Sequence, residues 1–417
     1  MATSSDTKGL RRVFIWSGVA LFVLIVGTNL PSPLYAVYAQ RFGFGPMVLT
    51  LIFATYAGTQ LPALLLAGSA ADAWGYRRVL LPGLGLALAG ALVFRYADGT
   101  GWLFLARALQ GAAVGASSGA LTAALVRTEP TGDHRRASLV ASLAATGGGG
   151  LGPVIAGACA AWLPAPTQTA YLIESVALIA AAAGLLMVPA SFGRTGVAWR
   201  VSLPRIPASI CRPFAKACAV TFVGWAVVAV FLSIVPSYVR TLTGNHNLAL
   251  AGVSSGLVLV VAAGAQLPAS RVDTARLQRV GLVGLAAGLG VLLIAGAARQ
   301  LSLVIASAVI AGIGQGLAYM GAVRHANRLA PRQNQAAVIS AFYIATYLGV
   351  GVPVIGVGLL ATVTSTTTAV DVFAVIALIG SLCVAAMRLG EVEVELTEPA
   401  QVADSSSALV ASGGPPR

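Results

Sequence analysis

Apolar positions in this chain come in long runs, separated by short breaks that carry the charges and many of the prolines and glycines. A helix needs about 20 apolar residues to cross the hydrocarbon of a bilayer, rising about 1.5 Å per residue through about 30 Å. Twelve runs reach that length: residues 13–35, 47–69, 79–97, 101–124, 137–162, 168–189, 217–238, 248–269, 279–298, 301–323, 336–361 and 369–388. The strict alternation of barrel strands is missing, and a helix satisfies its own backbone groups in lipid, so the expected fold class is an all-α integral membrane protein. The first run follows Lys8, Arg11 and Arg12 and imitates a signal peptide. Its length and the lack of a small-residue cleavage site predict an uncleaved first span instead.

The runs repeat. AGTQLPA at 57–63 in the second run returns as AGAQLPA at 263–269 in the eighth, an offset of 206. Pro31-Ser32 returns as Pro236-Ser237 and Gln110-Gly111 as Gln315-Gly316, each at an offset of 205, and Pro153-Val154-Ile155 returns as Pro353-Val354-Ile355. Four matches in order point to a duplicated set of six helices. An even number of spans per copy keeps both copies in one orientation, so the halves are expected to be parallel repeats with a substrate site between them near the midplane. The expected organisation is an N-tail at 1–12, a six-helix bundle at 13–190, a connector at 191–216, a second bundle at 217–388 and a disordered tail at 389–417, rich in acids, Ser, Gly and Pro.

Composition sharpens the picture. Of the 417 residues 57% are hydrophobic and 9% charged, which makes a soluble enzyme improbable. The net charge of +13 does not gather on one polar face, as a nucleic-acid binder would require, and no nucleic-acid partner is expected. With the N-terminus placed in the cytoplasm, 21 of the 26 Lys and Arg fall on the inner side, which predicts a multi-pass cell-membrane protein with both termini cytoplasmic. The basic connector then lies near anionic headgroups. Trp102 and Trp162 at outer ends and Trp16 near an inner one read as interfacial anchors. Cys159, Cys211, Cys218 and Cys383 are too widely spaced for a disulfide framework or a CxxC metal site.

Between the second and third runs stand Gly68, Asp72, Gly75, Arg77 and Arg78, with Tyr76 shifting the basic pair by one place. This loop resembles the GxxxDxxGR(R/K) signature of the major facilitator superfamily. Arg107, Gln110 and Gly111 resemble its RxxQG motif. Gly148, Gly152, Pro153 and Gly157 resemble the GxxxGP element of its antiporters, although Leu139 stands where an upstream glycine is usual and Ala156 replaces a closing one. The resemblance covers roughly residues 10–390. It implies the major facilitator fold of two six-helix bundles, alternating access and, through the third motif, antiport. Taken as residues, the glycines permit a tight turn, and Asp72 can accept from Arg77, Arg78 or a helix N-terminus; a plain solvated loop is the alternative. The glycines of the fifth run also suit close packing against a neighbouring helix, with a proline bend.

Coupling to a proton gradient, the expected energy source in the absence of any cofactor, needs a group that changes charge within the membrane. Arg107 either faces a polar interior, with Gln110 on the same face, or snorkels outward. Glu174, the one acid well inside a run, either partners Arg107 or lies shallow near the headgroups. Polar and aromatic side chains at helical spacing are the expected cavity lining: Asn29, Tyr35, Tyr56, Gln60, Trp225, Gln266, Gln315, Tyr319, Tyr343 and Tyr347. Such a set suits a lipophilic or amphipathic organic molecule better than a phosphate or sugar acid, which would want clustered cations. The expectation is a monomeric, proton-linked exporter of a small organic compound or drug, with an uncoupled facilitator or importer, or a non-transporting sensor, as the alternatives.

Overall fold

The computed structural model describes residues 4–67, 70–186, 199, 206–244, 247–330 and 335–387. Gly68, the 389–417 tail and all of the connector except Trp199 and 206–216 lie outside them. Twelve helices among the described residues are long and apolar enough to cross a membrane. We number them span 1 (Gly9–Phe42), span 2 (Pro46–Ala67), span 3 (Tyr76–Arg95), span 4 (Thr100–Thr128), span 5 (Arg136–Trp162), span 6 (Pro166–Leu186), span 7 (Ala208–Ser233), span 8 (Leu248–Gln266), span 9 (Thr274–Ala298), span 10 (Leu301–Leu329), span 11 (Val338–Val363) and span 12 (Thr366–Ala386). Each overlaps one apolar run. The largest departures are the end of span 1 and the start of span 7, where the helix continues through polar residues that hydropathy alone assigns to loops.

Proline explains the local irregularities. A turn at Leu30 divides span 1 into helices Ser4–Asn29 and Pro31–Phe42, because Pro31 has no N–H to offer the Gly27 carbonyl. Span 7 breaks at the equivalent place: helix Cys211–Ser233 gives way at Ile234 to Val235–Thr243, which contains Pro236. Span 5 carries a π-helical turn, Leu143–Gly147, upstream of Pro153. The half-buried Trp16 seats its ring on Gly184 of span 6, where a Cβ would lie 2.0 Å from it.

The repeated glycines are points of close helix approach. A Cβ on Gly111 would lie 2.3 Å from the Tyr56 carbonyl of span 2, and one on Gly316 would lie 2.3 Å from the Ala262 carbonyl of span 8. In span 5, Gly148 and Gly152 press on span 1 at the Phe22 and Val26 carbonyls. Gly150 and Gly157 press on span 8, against Gly256 and Leu248. The halves meet along two seams, span 2 against span 11 and span 5 against span 8. Their cores are joined unequally. At the end away from Asp72, Tyr35, Leu49, Ile52 and Phe53 share one apolar cluster with Phe231, Val235, Val354 and Ala361. At the Asp72 end the first half keeps a separate cluster of its own, running from Val13 and Phe14 to Leu185. The molecule is thus sealed by a common core at one end only.

Candidate substrate cavity and its supports

Between the halves lies a cavity of about 180 Å³. Three stripes at helical spacing build much of its wall: Phe53, Tyr56, Gln60 and Leu64 on span 2; Trp225, Val228, Ala229 and Leu232 on span 7; Tyr343, Thr346, Tyr347 and Val350 on span 11. Asn29 and Tyr319 join them, whereas among the described residues no Asp, Glu, Lys, Arg or His lines the wall. The aromatic side chains form a connected surface. Trp225 meets Tyr319 edge-on at 5.6 Å, and Tyr343 stacks on Tyr347 at 6.2 Å. Seven of the ten expected lining residues are therefore here: Asn29, Tyr56, Gln60, Trp225, Tyr319, Tyr343 and Tyr347.

The other three are elsewhere. Tyr35 is sealed into the shared core at 1% exposure, because it follows the turn at Leu30 and the second helix of span 1 carries it away from the cavity. Gln315 packs its amide against Gly224 of span 7. Gln266 reaches across to span 5, where its Oε1 accepts from the Ser142 hydroxyl. This bond has a counterpart, because Gln60 Nε2 donates to the Tyr347 hydroxyl of span 11. The glutamine of each repeated QLP motif thus crosses one of the two seams. Phe53, Thr28, Thr146 and Thr346 also line the cavity. Phe53 and Thr346 could have been found by extending the Tyr56 and Tyr343 stripes by three residues; Thr146 sits on the π turn, which no sequence period announces.

Arg107 is 1% exposed and does not snorkel. Neither does it line the cavity: it lies behind Tyr56, with its guanidinium carbon 4.5 Å from that ring's centroid and 5.3 Å from Phe53's. Its Nη1 donates to the Thr28 carbonyl at 2.6 Å and to Gln110 Oε1 at 3.0 Å. Gln110 Nε2 donates in turn to the Gly27 carbonyl at 3.0 Å, the acceptor that Pro31 leaves without a helical donor. The RxxQG residues accordingly cap a break in span 1 with side chains from span 4. Glu174 reaches the same turn from span 6: a Cβ on Gly27 would lie 1.9 Å from its Oε1, and its Oε2 has no partner. Glu174 is buried within the protein, yet no ion pair joins it to Arg107 among the described residues. Span 1 stands between them.

At the Asp72 end, a short helix, Ala70–Trp74, ends at Gly75, whose φ of 91° is one that favours glycine. Asp72 forms an ion pair with Arg127, at the end of span 4, at 3.0 Å, a partner beyond the neighbouring Arg77, Arg78 and helix N-terminus that proximity in sequence suggests. Both of those arginines sit in the first turn of span 3. The Arg127 guanidinium also lies 5.6 Å from the Tyr76 ring, so the turn is tied to span 4 within its own half. Trp199 of the connector stacks on Trp74 at 5.8 Å and donates to the Leu66 carbonyl, which fastens the connector to the same turn. In the second half Asp273 instead caps span 9, accepting from the Ala275 and Arg276 amides at 2.9 and 3.2 Å. The Arg276 amide foremost holds its carboxyl below the usual range. Glu129, after span 4, is pushed up by burial but held below its ordinary value by the Thr131 hydroxyl, the Asp133 and Thr131 amides and Arg136.

Twelve membrane-length helices among the described residues, with a cavity between the two halves, have the architecture of a membrane carrier with one central site. Residues 17–297 match the Major Facilitator Superfamily, and the chain belongs to that family. It is a transporter and not an enzyme. No curated protein sequence matches the chain. Solved structures share its fold. A POT family transporter in complex with 5-aminolevulinic acid superposes with a TM-score of 0.73 at 12% identity, covering 90% of this chain and 95% of that one. A peptide transporter POT gives 0.71 at 14% identity, over 91% and 94% of the two chains. The nucleoside transporter NupG gives 0.70 at 12% identity, over 90% and 99%.

Proposed function

We propose that this transporter exports a small lipophilic or amphipathic organic compound across the cell membrane, in exchange for protons, with both termini in the cytoplasm. One observation carries the substrate side: the central cavity is aromatic and amide-lined and, among the described residues, has no charged side chain in its wall. A peptide or another zwitterion would leave two charges unpaired there, at a cost of several kcal/mol each. This separates the site from what the names of its structural neighbours would imply. Glu174 supports the coupling: it is a buried carboxyl group with no ion-pair partner, seated on the broken turn of span 1, where exchange of a proton would act on the helix that carries Thr28 and Asn29 into the cavity.

The test is substrate flux in proteoliposomes holding the full chain, with an imposed pH gradient and with the gradient collapsed. Candidate compounds come from resistance and accumulation profiles of cells with and without the protein. Gradient-driven efflux is the expected result. Flux indifferent to the gradient would make the protein an uncoupled facilitator, and no flux of any compound that the profiles select would leave it a sensor.

A further inference from the structure

Building on the proposed role of this cavity as the substrate site, we propose that the substrate is an uncharged aromatic molecule, about one ring in size, that carries both a hydrogen-bond donor and an acceptor. Size follows from volume. An apolar cavity of about 150 Å³ takes up benzene, so about 180 Å³ holds a single ring and one small polar substituent. The ring faces of Trp225, Tyr319, Tyr343 and Tyr347 supply the stacking and edge contacts that such a ring prefers.

Polarity follows from two atoms. Trp225 and Gln60 both line the cavity, from opposite halves, and each keeps one buried polar atom without a partner: the Trp225 Nε1–H, a donor, and Gln60 Oε1, an acceptor. Buried groups of this kind are rare, because each is costly until something pairs with it. Neither atom is open to the cavity as it stands; a substrate bearing an acceptor and a donor reaches both once the two side chains turn toward it, and then links span 7 to span 2.

Neutrality follows from what stands behind the wall. A positive charge, Arg107, lies 4.5 Å from the centroid of the Tyr56 ring, and it opposes an organic cation that would otherwise suit a cage of aromatic rings. An anion gains little from the same arginine, which is covered by Tyr56 and Phe53 and spends its Nη1 on Thr28 and Gln110. Glu174 sits at Gly27 on the far side of span 1 and does not line the cavity.

Three probes of one shape separate these terms: benzamide, benzoate and benzylammonium, titrated into the purified full chain in detergent and read by isothermal titration or saturation-transfer NMR. Benzamide should bind at least about tenfold more tightly than either ion, since burying an unpaired charge outweighs any gain in contact. Trp225→Phe should weaken benzamide binding by about 3- to 10-fold, the loss of one neutral hydrogen bond, without changing the thermal unfolding of the protein. Binding of either ion as tightly as benzamide, no binding of benzamide, or an unchanged affinity in Trp225→Phe would overturn the proposed class. The cavity assignment has a separate readout. If flux of a compound of another class responds to Trp225→Ala and Tyr343→Ala, the cavity stands and the class falls; if flux ignores both, the cavity assignment itself falls.

Discussion

Gln110 offers the sharpest perturbation, because the structure says what each of its atoms does. Gln110→Leu keeps the volume near Gly90 and removes two bonds: the donor to the Gly27 carbonyl and the acceptor for Arg107 Nη1. A buried acceptor left unpaired costs about 1–3 kcal/mol, and a hydrogen bond to a charged group contributes about 1.5–3 kcal/mol. Since the two share a neighbourhood and are not additive, a loss of about 2–4 kcal/mol is expected. The Gly27 part of that loss exists only because residue 31 is a proline. Pro31→Ala supplies the missing N–H, so in that background Gln110→Leu should recover about 1–2 kcal/mol of its penalty. Reversible unfolding in mixed micelles of the wild type, both single variants and the double variant closes the cycle. A Gln110→Leu penalty equal within about 0.5 kcal/mol in the two backgrounds, the additivity limit for independent sites, would refute the capping role.

Reporters fused after Arg200 and after Arg388 should both read cytoplasmic and one fused near Asn245 external; an external reading at Arg200 would overturn the orientation drawn from charge. The Asp72–Arg127 pair is about 42% exposed on each side, so breaking it should cost at most about 1 kcal/mol of stability. Asp72→Asn should therefore slow flux with little effect on thermal unfolding, and Asp72→Arg with Arg127→Asp should restore part of it; flux equal to wild type in Asp72→Asn would return the turn to a solvated loop. Glu174→Gln should abolish the dependence of flux on the proton gradient while leaving downhill exchange of substrate, and an unchanged pH dependence would remove Glu174 from coupling. The carboxyl of Asp273 is held below its usual range, so its cap is fully present above the ordinary aspartate pKa and is lost as the pH falls through the lowered one. Asp273→Ala should cost about 1 kcal/mol at neutral pH, and that difference, followed by thermal unfolding, should shrink on acidification; a constant difference down to the lowest accessible pH would refute the cap.

The span count, the duplication and most of the cavity were legible in the sequence because each rests on a signal of the right length. A run of about 20 apolar residues is unmistakable. Tyr56 with Gln60 and Tyr343 with Tyr347 lie at i,i+4, which fixes their common face once the helix is given. What was hidden depends on events between helices. Nothing in the spacing of Gln266 distinguishes a side chain that points into a cavity from one that crosses a seam to Ser142. One partner of Asp72, Arg127, lies 55 residues away, beyond the reach of any local pattern. Tyr35 was misplaced because the break at Leu30 interrupts the helical phase on which the assignment rested. For Arg107 the motif located the residue, but only the geometry shows that its donors serve the backbone of span 1.

That last contact also bears on how the two copies of the duplicated half divide their work. The position equivalent to Arg107, at the same offset that relates Gln110 to Gln315, is Gly312. There the missing side chain lets span 10 close on the Val258 carbonyl of span 8, where a Cβ would lie 2.6 Å away. One broken helix is therefore braced from the side by a guanidinium, whereas its twin in span 7 has only a glycine at the matching place. If the two halves rock about the central cavity, the turn at Ile234, which lacks that brace, is expected to bend more readily than the turn at Leu30. Substitutions that stiffen the turn at Ile234 are then expected to slow turnover more than equal changes at Leu30, so one copy of the duplicated half would yield while the other holds.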